Sequence, residues 1–128
     1  MKILIADDED MVRTSLDGIL KKGGDYETDF ALDGEEAIQK LTANLYDAVL
    51  LDLEMPKVSG YDVLAKARAL YPNLPVIFLT GKAEAKKVAT SIAKSRLSGF
   101  IEKPFSPDDV LNTISQAIKA EKPGGLEA

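Results

Sequence analysis

The sequence predicts an α/β fold: a doubly wound (βα)5 sandwich of three layers built around a five-stranded parallel sheet. Three observations carry this. Short apolar runs recur at fairly even intervals, segments of helical periodicity fill the gaps, and Ile3-Leu4-Ile5-Ala6 and Val49-Leu50-Leu51 are apolar at every position. Strands apolar on both sides of the pleat have to be covered on both faces. Strands that alternate with helices join through right-handed crossovers into a parallel sheet.

The first strand is read at Ile3–Ala6. In the segment after it, Val12, Leu16, Ile19 and Leu20 keep the spacing of one helical face. Tyr26–Phe30 is the second strand. Asp33, with Glu36 three residues on, predicts an N-cap and capping box for a short helix through Ala37, Ile38 and Leu41. Ala48–Leu51 is the third strand and should lie centrally. Val63, Leu64, Ala67 and Leu70 form the next helical stripe, stopped by Pro72, which cannot continue a helix. Val76–Leu79 is the fourth strand, and Ala85, Val88, Ala89 and Ile92 form the fourth helical stripe. Gly99–Ile101 is the fifth strand. Ser106-Pro107-Asp108-Asp109 then combines a capping hydroxyl, a proline at the first helical position and acids in the first turn. It opens a last helix carrying Val110, Ile114, Ala117 and Ile118. One domain over residues 1–120 is expected, with 121–128 as a flexible tail or linker stub.

The chain's 128 residues suffice for one domain that buries about two thirds of its unfolded surface. With 45% apolar and 29% charged residues it reads as a folded chain rather than a disordered one. Sixteen Lys plus Arg against twenty-one Asp plus Glu leave a net charge of -5. That balance argues against direct nucleic-acid binding, which needs a basic face. There is no Cys and no His. Disulfides, thiolate-zinc sites, thiol nucleophiles, Ser-His triads and imidazole ligands are all excluded. Any chemistry must use carboxylates, hydroxyls and amines. Asp7 arrives too early for a signal peptide's apolar stretch, and no apolar run approaches the ~20 residues that span a bilayer. A cytoplasmic location away from membranes is the expectation.

In such a sheet, ligands bind beyond the carboxyl ends of the strands. The residues predicted there are Asp7, Asp8 and Glu9, then Asp52, Glu54 and Pro56, then Thr80 and Gly81, then Lys103 and Pro104. Clustered carboxylates repel unless some are protonated or a cation sits among them. Mg²⁺ suits oxygen ligands of this kind. Taken singly, Asp7 and Asp8 read equally well as helix caps, and Glu9 and Asp10 as solvent-facing acids. Asp52 and Thr80 alone read as turn residues and Lys103 as a solvated lysine. Placed together on four strand ends, they supply what phosphoryl transfer to a carboxylate needs: a nucleophile, a metal site, a cation and a hydroxyl.

In this order and spacing, Asp7-Asp8 after Ile-Leu-Ile-Ala, Asp52-Leu-Glu-Met-Pro56 with Gly60, Thr80, and Lys103-Pro104-Phe105 resemble the receiver domains of two-component response regulators. The resemblance runs over residues 2–120. It implies the CheY-like, flavodoxin-like strand order 2-1-3-4-5. It implies Asp52 as phosphoacceptor, charged from a phosphohistidine on a partner histidine kinase or phosphotransfer protein. Asp7 and Asp8 would hold Mg²⁺ with Asp52 and the backbone carbonyl of Glu54. Lys103 would pair with phosphoryl oxygens and precede a cis Pro104. Thr80 would be the switch hydroxyl and Phe100 the aromatic switch residue, although Phe100 also reads as an ordinary core side chain.

The function so implied is a phosphorylation-controlled switch rather than an enzyme with an outside substrate. Thr80 moves inward, Phe100 rotates into the space, and the surface of the Ala85–Ile92 segment, the fifth strand and the last helix changes for a downstream protein target. Phosphorylation-dependent dimerisation through that surface is left open. The helix around Met11–Leu20 is the implied docking face for the phosphodonor. Three departures stand out: Ile92–Phe100 lacks the usual Gly-Ala, the Thr80–Lys103 segment is slightly long, and Thr80 is followed by Gly81 and Lys82. Glu54 and Lys82 are expected to flank the mouth of the site, in position to pair across it. Two other readings are carried: a phosphate-independent interaction module of the same shape, and an aspartate-nucleophile phosphatase. The second is opposed by Glu54 two after Asp52, by an acidic pair that precedes the nucleophile, and by the lack of room for a substrate cap.

Overall fold

The computed structural model describes residues 1–81, 84–86 and 97–121. Its elements are β1 (Lys2–Ala6), α1 (Asp10–Gly23), β2 (Glu27–Ala31), α2 (Gly34–Ala43), β3 (Ala48–Asp52), α3 (Gly60–Leu70), β4 (Val76–Thr80), β5 (Gly99–Glu102) and the C-terminal helix α4 (Pro107–Glu121). The strands pair in parallel in the order β2-β1-β3-β4-β5, with β3 central as expected. Residues 84–86 are helical. The rest of the predicted fourth helical segment, including Val88, Ala89 and Ile92, lies outside the described residues, as does the 122–128 tail. No helix among the described residues is long and apolar enough to cross a membrane.

The side-chain alternation of the strands divides the interior into two cores. Leu4, Val49, Leu51, Val76 and Phe78 face Ala37 and Leu41 of α2 and Val63, Leu64 and Ala67 of α3. Ile3, Ile5, Leu50, Ile77 and Leu79 face Leu16 and Leu20 of α1 and Val110, Ile114 and Ile118 of α4. Fully burying one such Leu or Ile contributes about 1.5–3 kcal/mol. Covering on both faces is why β1, β3 and β4 can be apolar throughout. On the edge strand β2 only Ala31 is buried, and its sequence is correspondingly mixed.

Apolar runs mark the strands but understate their ends. Asp52 and Thr80, expected as the first residues beyond the sheet, are the last residues of β3 and β4. Asp52 is in register with Leu79 and Thr80 with Glu102. Main-chain pairing is indifferent to side-chain polarity, so the ladder runs one residue past each apolar run. The Asp52 and Thr80 side chains therefore stand on the sheet, while Asp7, Asp8 and Lys103 follow directly after β1 and β5.

The helix starts follow the predicted chemistry. Ser106 Oγ accepts the Asp109 N–H at 3.1 Å, and Asp33 Oδ1 accepts the Glu36 N–H at 2.8 Å. The reciprocal bond departs from the capping box, since Glu36 Oε1 accepts from the Leu32 N–H at 2.7 Å, one residue before the cap. The first turn of α2 also rests on the loop after β3. A Cβ built at Gly34 would lie 2.1 Å from the Val58 carbonyl oxygen, and Lys57 Nζ reaches Asp33 Oδ2 at 3.5 Å. Gly34→Ala is therefore expected to cost about 1–2 kcal/mol through forced backbone displacement. A lowered urea midpoint checks this; an unchanged midpoint would mean that the loop yields freely.

Candidate functional site

The carboxyl edge of the sheet forms a crevice between the ends of β1, β3, β4 and β5, lined by Asp8, Glu9, Asp52, Glu54, Thr80 and Lys103, among others. Asp7 lies at its floor, fully buried. The Asp7 main-chain N–H donates to the Ala31 carbonyl at 3.1 Å, continuing the β1–β2 ladder. Its Oδ1 accepts the Glu9 N–H at 2.8 Å and its Oδ2 accepts from Lys103 Nζ at 3.1 Å. Asp7 is thus not a cap of α1. The N-cap residue is Glu9, and it makes no side-chain capping bond.

Asp52, 7% exposed, accepts the Glu54 N–H at 3.3 Å through Oδ1. Lys103 Nζ stands 3.6 Å from the same oxygen and 3.6 Å from Glu9 Oε1. Lys103 thus contacts three carboxylates at once, the Glu9 contact being one that residue type and spacing did not predict. Its position is set by the Lys103 N–H donating to the Thr80 carbonyl at 2.7 Å, and the Lys103–Pro104 bond is cis.

The charge balance of the crevice is strained. Burial, with the negative charge of Asp7 second, pushes the Asp52 carboxyl up to about 6 despite Lys103. Burial also raises Asp7, against the opposing Glu9 N–H and Lys103. For Lys103, burial works to lower the pKa, but the charges of Asp52 and Asp7 outweigh it and the net shift is upward. Lys103 stays charged, and the acids still carry more negative charge than it can balance. One carboxylate oxygen from each of Asp7, Asp8 and Asp52 lies within 4.8 Å of the others. Three hard oxygen donors, two of them on buried groups that repel each other, fit a hard divalent cation such as Mg²⁺.

Thr80 is buried, and its Oγ1 donates to the Gly81 carbonyl at 3.2 Å rather than to any carboxylate of the crevice. Among the described residues, a Cβ at Gly81 would meet nothing within 4 Å. Phe100 is half-buried on β5, in register with Phe78 of β4. Thr80 follows Phe78 by two residues and so shares its face of the sheet. Tyr61 of α3 contacts the Phe78 ring edge-on, with centroids 5.2 Å apart. The Glu54 side chain is exposed at the crevice mouth, while Lys82, its expected partner, lies outside the described residues. Sequence reasoning also missed Glu84, which lines the crevice, and Arg13, whose guanidinium holds the Asp7 carbonyl.

Comparison with known proteins identifies the family. A family model described as the response regulator receiver domain matches residues 3–115. The transcriptional regulatory protein DltR of Streptococcus agalactiae is 33% identical over 114 residues, covering 89% of this chain and 50% of that protein. The response regulator Rre1 of Synechocystis is 35% identical over 137 residues, covering all of this chain and 55% of that protein. This chain therefore spans about half the length of both relatives. Among solved structures, the receiver domain of NtrX from Brucella abortus superposes with a TM-score of 0.84 at 28% identity, covering 91% of this chain and 98% of that one. A CheY-like receiver domain from Methanospirillum hungatei gives 0.84 at 29% identity, covering 94% of each chain. The chain belongs to the response regulator receiver domains of two-component signalling systems.

Proposed function

We propose that the crevice accepts a phosphoryl group on Asp52 from a phosphohistidine of a histidine kinase or phosphotransfer protein. An Asp52 carboxylate oxygen attacks phosphorus, an O–P bond forms as the P–N bond breaks, and the donor imidazole leaves with the bonding pair. The observation that carries this reading is the position of Asp52 at a strand end, with Lys103 at 3.6 Å and the Asp7 and Asp8 oxygens within 4.8 Å. Phosphoryl transfer asks the protein for positioning and charge neutralisation, and these groups supply both. Asp7, Asp8, Asp52 and the Glu54 carbonyl would hold Mg²⁺, which when bound neutralises charge on the transferring oxygens. Lys103 would take up a phosphoryl oxygen.

Thr80 turns its hydroxyl from the Gly81 carbonyl to the phosphoryl group, and Phe100 moves into the space that opens on the shared sheet face. The β5–α4 surface, together with the segment preceding β5, then presents a changed face to a downstream protein. Moving such an equilibrium from 1:99 to 99:1 takes about 5.5 kcal/mol of differential stabilisation. The phosphodonor docks beside the crevice on α1, where Met11 is 83% exposed next to Val12, Ser15 and Phe105.

The test is Mg²⁺-dependent binding of beryllofluoride, a phosphoryl mimic, to the unaltered protein and to Asp52→Ala, followed by amide NMR. The expected result is saturable binding that requires both Mg²⁺ and Asp52, with shifts reaching Thr80 and Phe100. Shifts confined to the Asp52 loop would mean a working site without the relay. No binding would favour the phosphate-independent interaction module.

A further inference from the structure

Arg13 lies near the start of α1, and its side chain is only 12% exposed. Nη1 donates to the main-chain carbonyl of Asp7 at 2.7 Å, and Nη2 donates to Asp10 Oδ1 at 3.1 Å. A guanidinium beside an acidic crevice has carboxylates available to it, yet this one spends a hydrogen bond on a neutral carbonyl. With that bond every polar group of Asp7 is tied: its N–H to Ala31, its carbonyl to Arg13, and its two carboxylate oxygens to Glu9 and Lys103.

The Asp7 carbonyl belongs to the rigid peptide plane that joins Asp7 to Asp8, so its direction fixes where the Asp8 Cα sits. No side-chain cap holds the start of α1 in place. We infer that Arg13 is a positioning residue of the divalent-cation site, holding the plane from which Asp8 is directed into the crevice beside Asp7 and Asp52. The inference rests on the reading of the crevice as a Mg²⁺ site. Removing partners that orient metal ligands in this way typically weakens metal binding by about 10–100-fold.

The sign of the effect separates positioning from charge. A guanidinium repels a divalent cation, so charge alone predicts tighter Mg²⁺ binding when Arg13 is removed. Positioning predicts weaker binding. The experiment is a Mg²⁺ titration followed by amide NMR of the unaltered protein, Arg13→Met, Arg13→Lys and Asp10→Asn. Arg13→Met is expected to bind Mg²⁺ about tenfold more weakly or worse, with native shifts kept away from the acidic loop. Arg13→Lys recovers part of the affinity, because an ammonium can donate to the same carbonyl. Asp10→Asn binds as the unaltered protein does, since it removes only the outer ion pair. Unchanged or tighter binding by Arg13→Met overturns the inference, as does an equal weakening in Asp10→Asn. Should Arg13→Met not fold, binding by Arg13→Lys equal to that of the unaltered protein overturns it. No Mg²⁺ binding by the unaltered protein overturns the functional reading itself, and this inference with it.

Discussion

Replacing Lys103 by methionine is expected to lower the unfolding free energy of the metal-free protein by about 2–3 kcal/mol at pH 7.5. Methionine keeps the length and the packing of the stem but removes the cation shared by Asp7, Glu9 and Asp52. Stripping one partner from a fully buried charge pair costs about 3–5 kcal/mol, and about 2–3 is expected here because this crevice opens to solvent. Lys103 does not set the pH dependence. Its pKa is raised on folding, so its contribution is complete below the ordinary lysine value and is lost only in alkali. The acids set it instead. Without Lys103 the Asp7 and Asp52 carboxyls rise further and take up protons more readily in the folded state, which relieves the repulsion. The loss should therefore shrink as pH falls through 6 towards 5, and Mg²⁺ should restore part of it at pH 7.5 by standing in for the missing charge. Urea denaturation in EDTA across this range, then with Mg²⁺, checks each point. A deficit of the same size at pH 5 and pH 8 would show that packing, not charge, was lost.

What the sequence made legible in this molecule has a common physical character. Apolar runs reported strands because a doubly covered strand has no polar face to show. Asp33, Ser106 and Pro107 reported helix starts because capping is short-range chemistry between a side chain and backbone a few residues away. Asp7, Asp52, Thr80 and Lys103 reported a crevice because the ends of parallel strands share one edge, so four separate strand ends name one place. Other features depended on distances that spacing cannot encode. The contact of Arg13 ends on a backbone carbonyl, and a carbonyl leaves no mark in residue type. The closeness of Gly34 to the Val58 carbonyl follows from how α2 leans on the loop after β3. Phe100 beside Phe78 needed the β4–β5 register, which a one-residue slip would have moved to the other face. The Glu36 bond to Leu32 instead of Asp33 is a smaller instance: Glu36 was foreseeable as the acceptor, the residue whose N–H donates to it was not.

At Asp52 the expected sign is the reverse. In the metal-free protein Asp52→Asn should raise the unfolding free energy by about 3 kcal/mol at pH 7. The carboxyl is pushed from 3.8 up to about 6 by burial and by Asp7, so the folded state holds its proton more tightly than the unfolded state does. Above pH 6 both states are ionised at this group, and the folded state bears the full penalty, about 3 kcal/mol at about 1.4 kcal/mol per unit. Between pH 6 and 4 the penalty fades as the folded carboxyl protonates, and below 4 it is gone. This penalty is already net of the attraction of Lys103, and asparagine carries none of it, so the gain is about 3 kcal/mol. The gain should thus be largest at neutral pH and vanish by pH 4; a gain that persists there would point to better packing instead. Mg²⁺ should reverse the order at neutral pH, because a ligand that binds only the folded state stabilises it and Asp52→Asn has lost one donor. The two substitutions should also couple. With Asp52 already neutral, Lys103 has one fewer buried charge to balance, so Lys103→Met should cost less in the Asp52→Asn background than in the unaltered protein. Additive effects would mean that Lys103 and Asp52 are neighbours without being an electrostatic unit. A coupled loss would identify the strain at Asp52 as something the crevice holds in place with Lys103 until a cation and a phosphoryl group arrive.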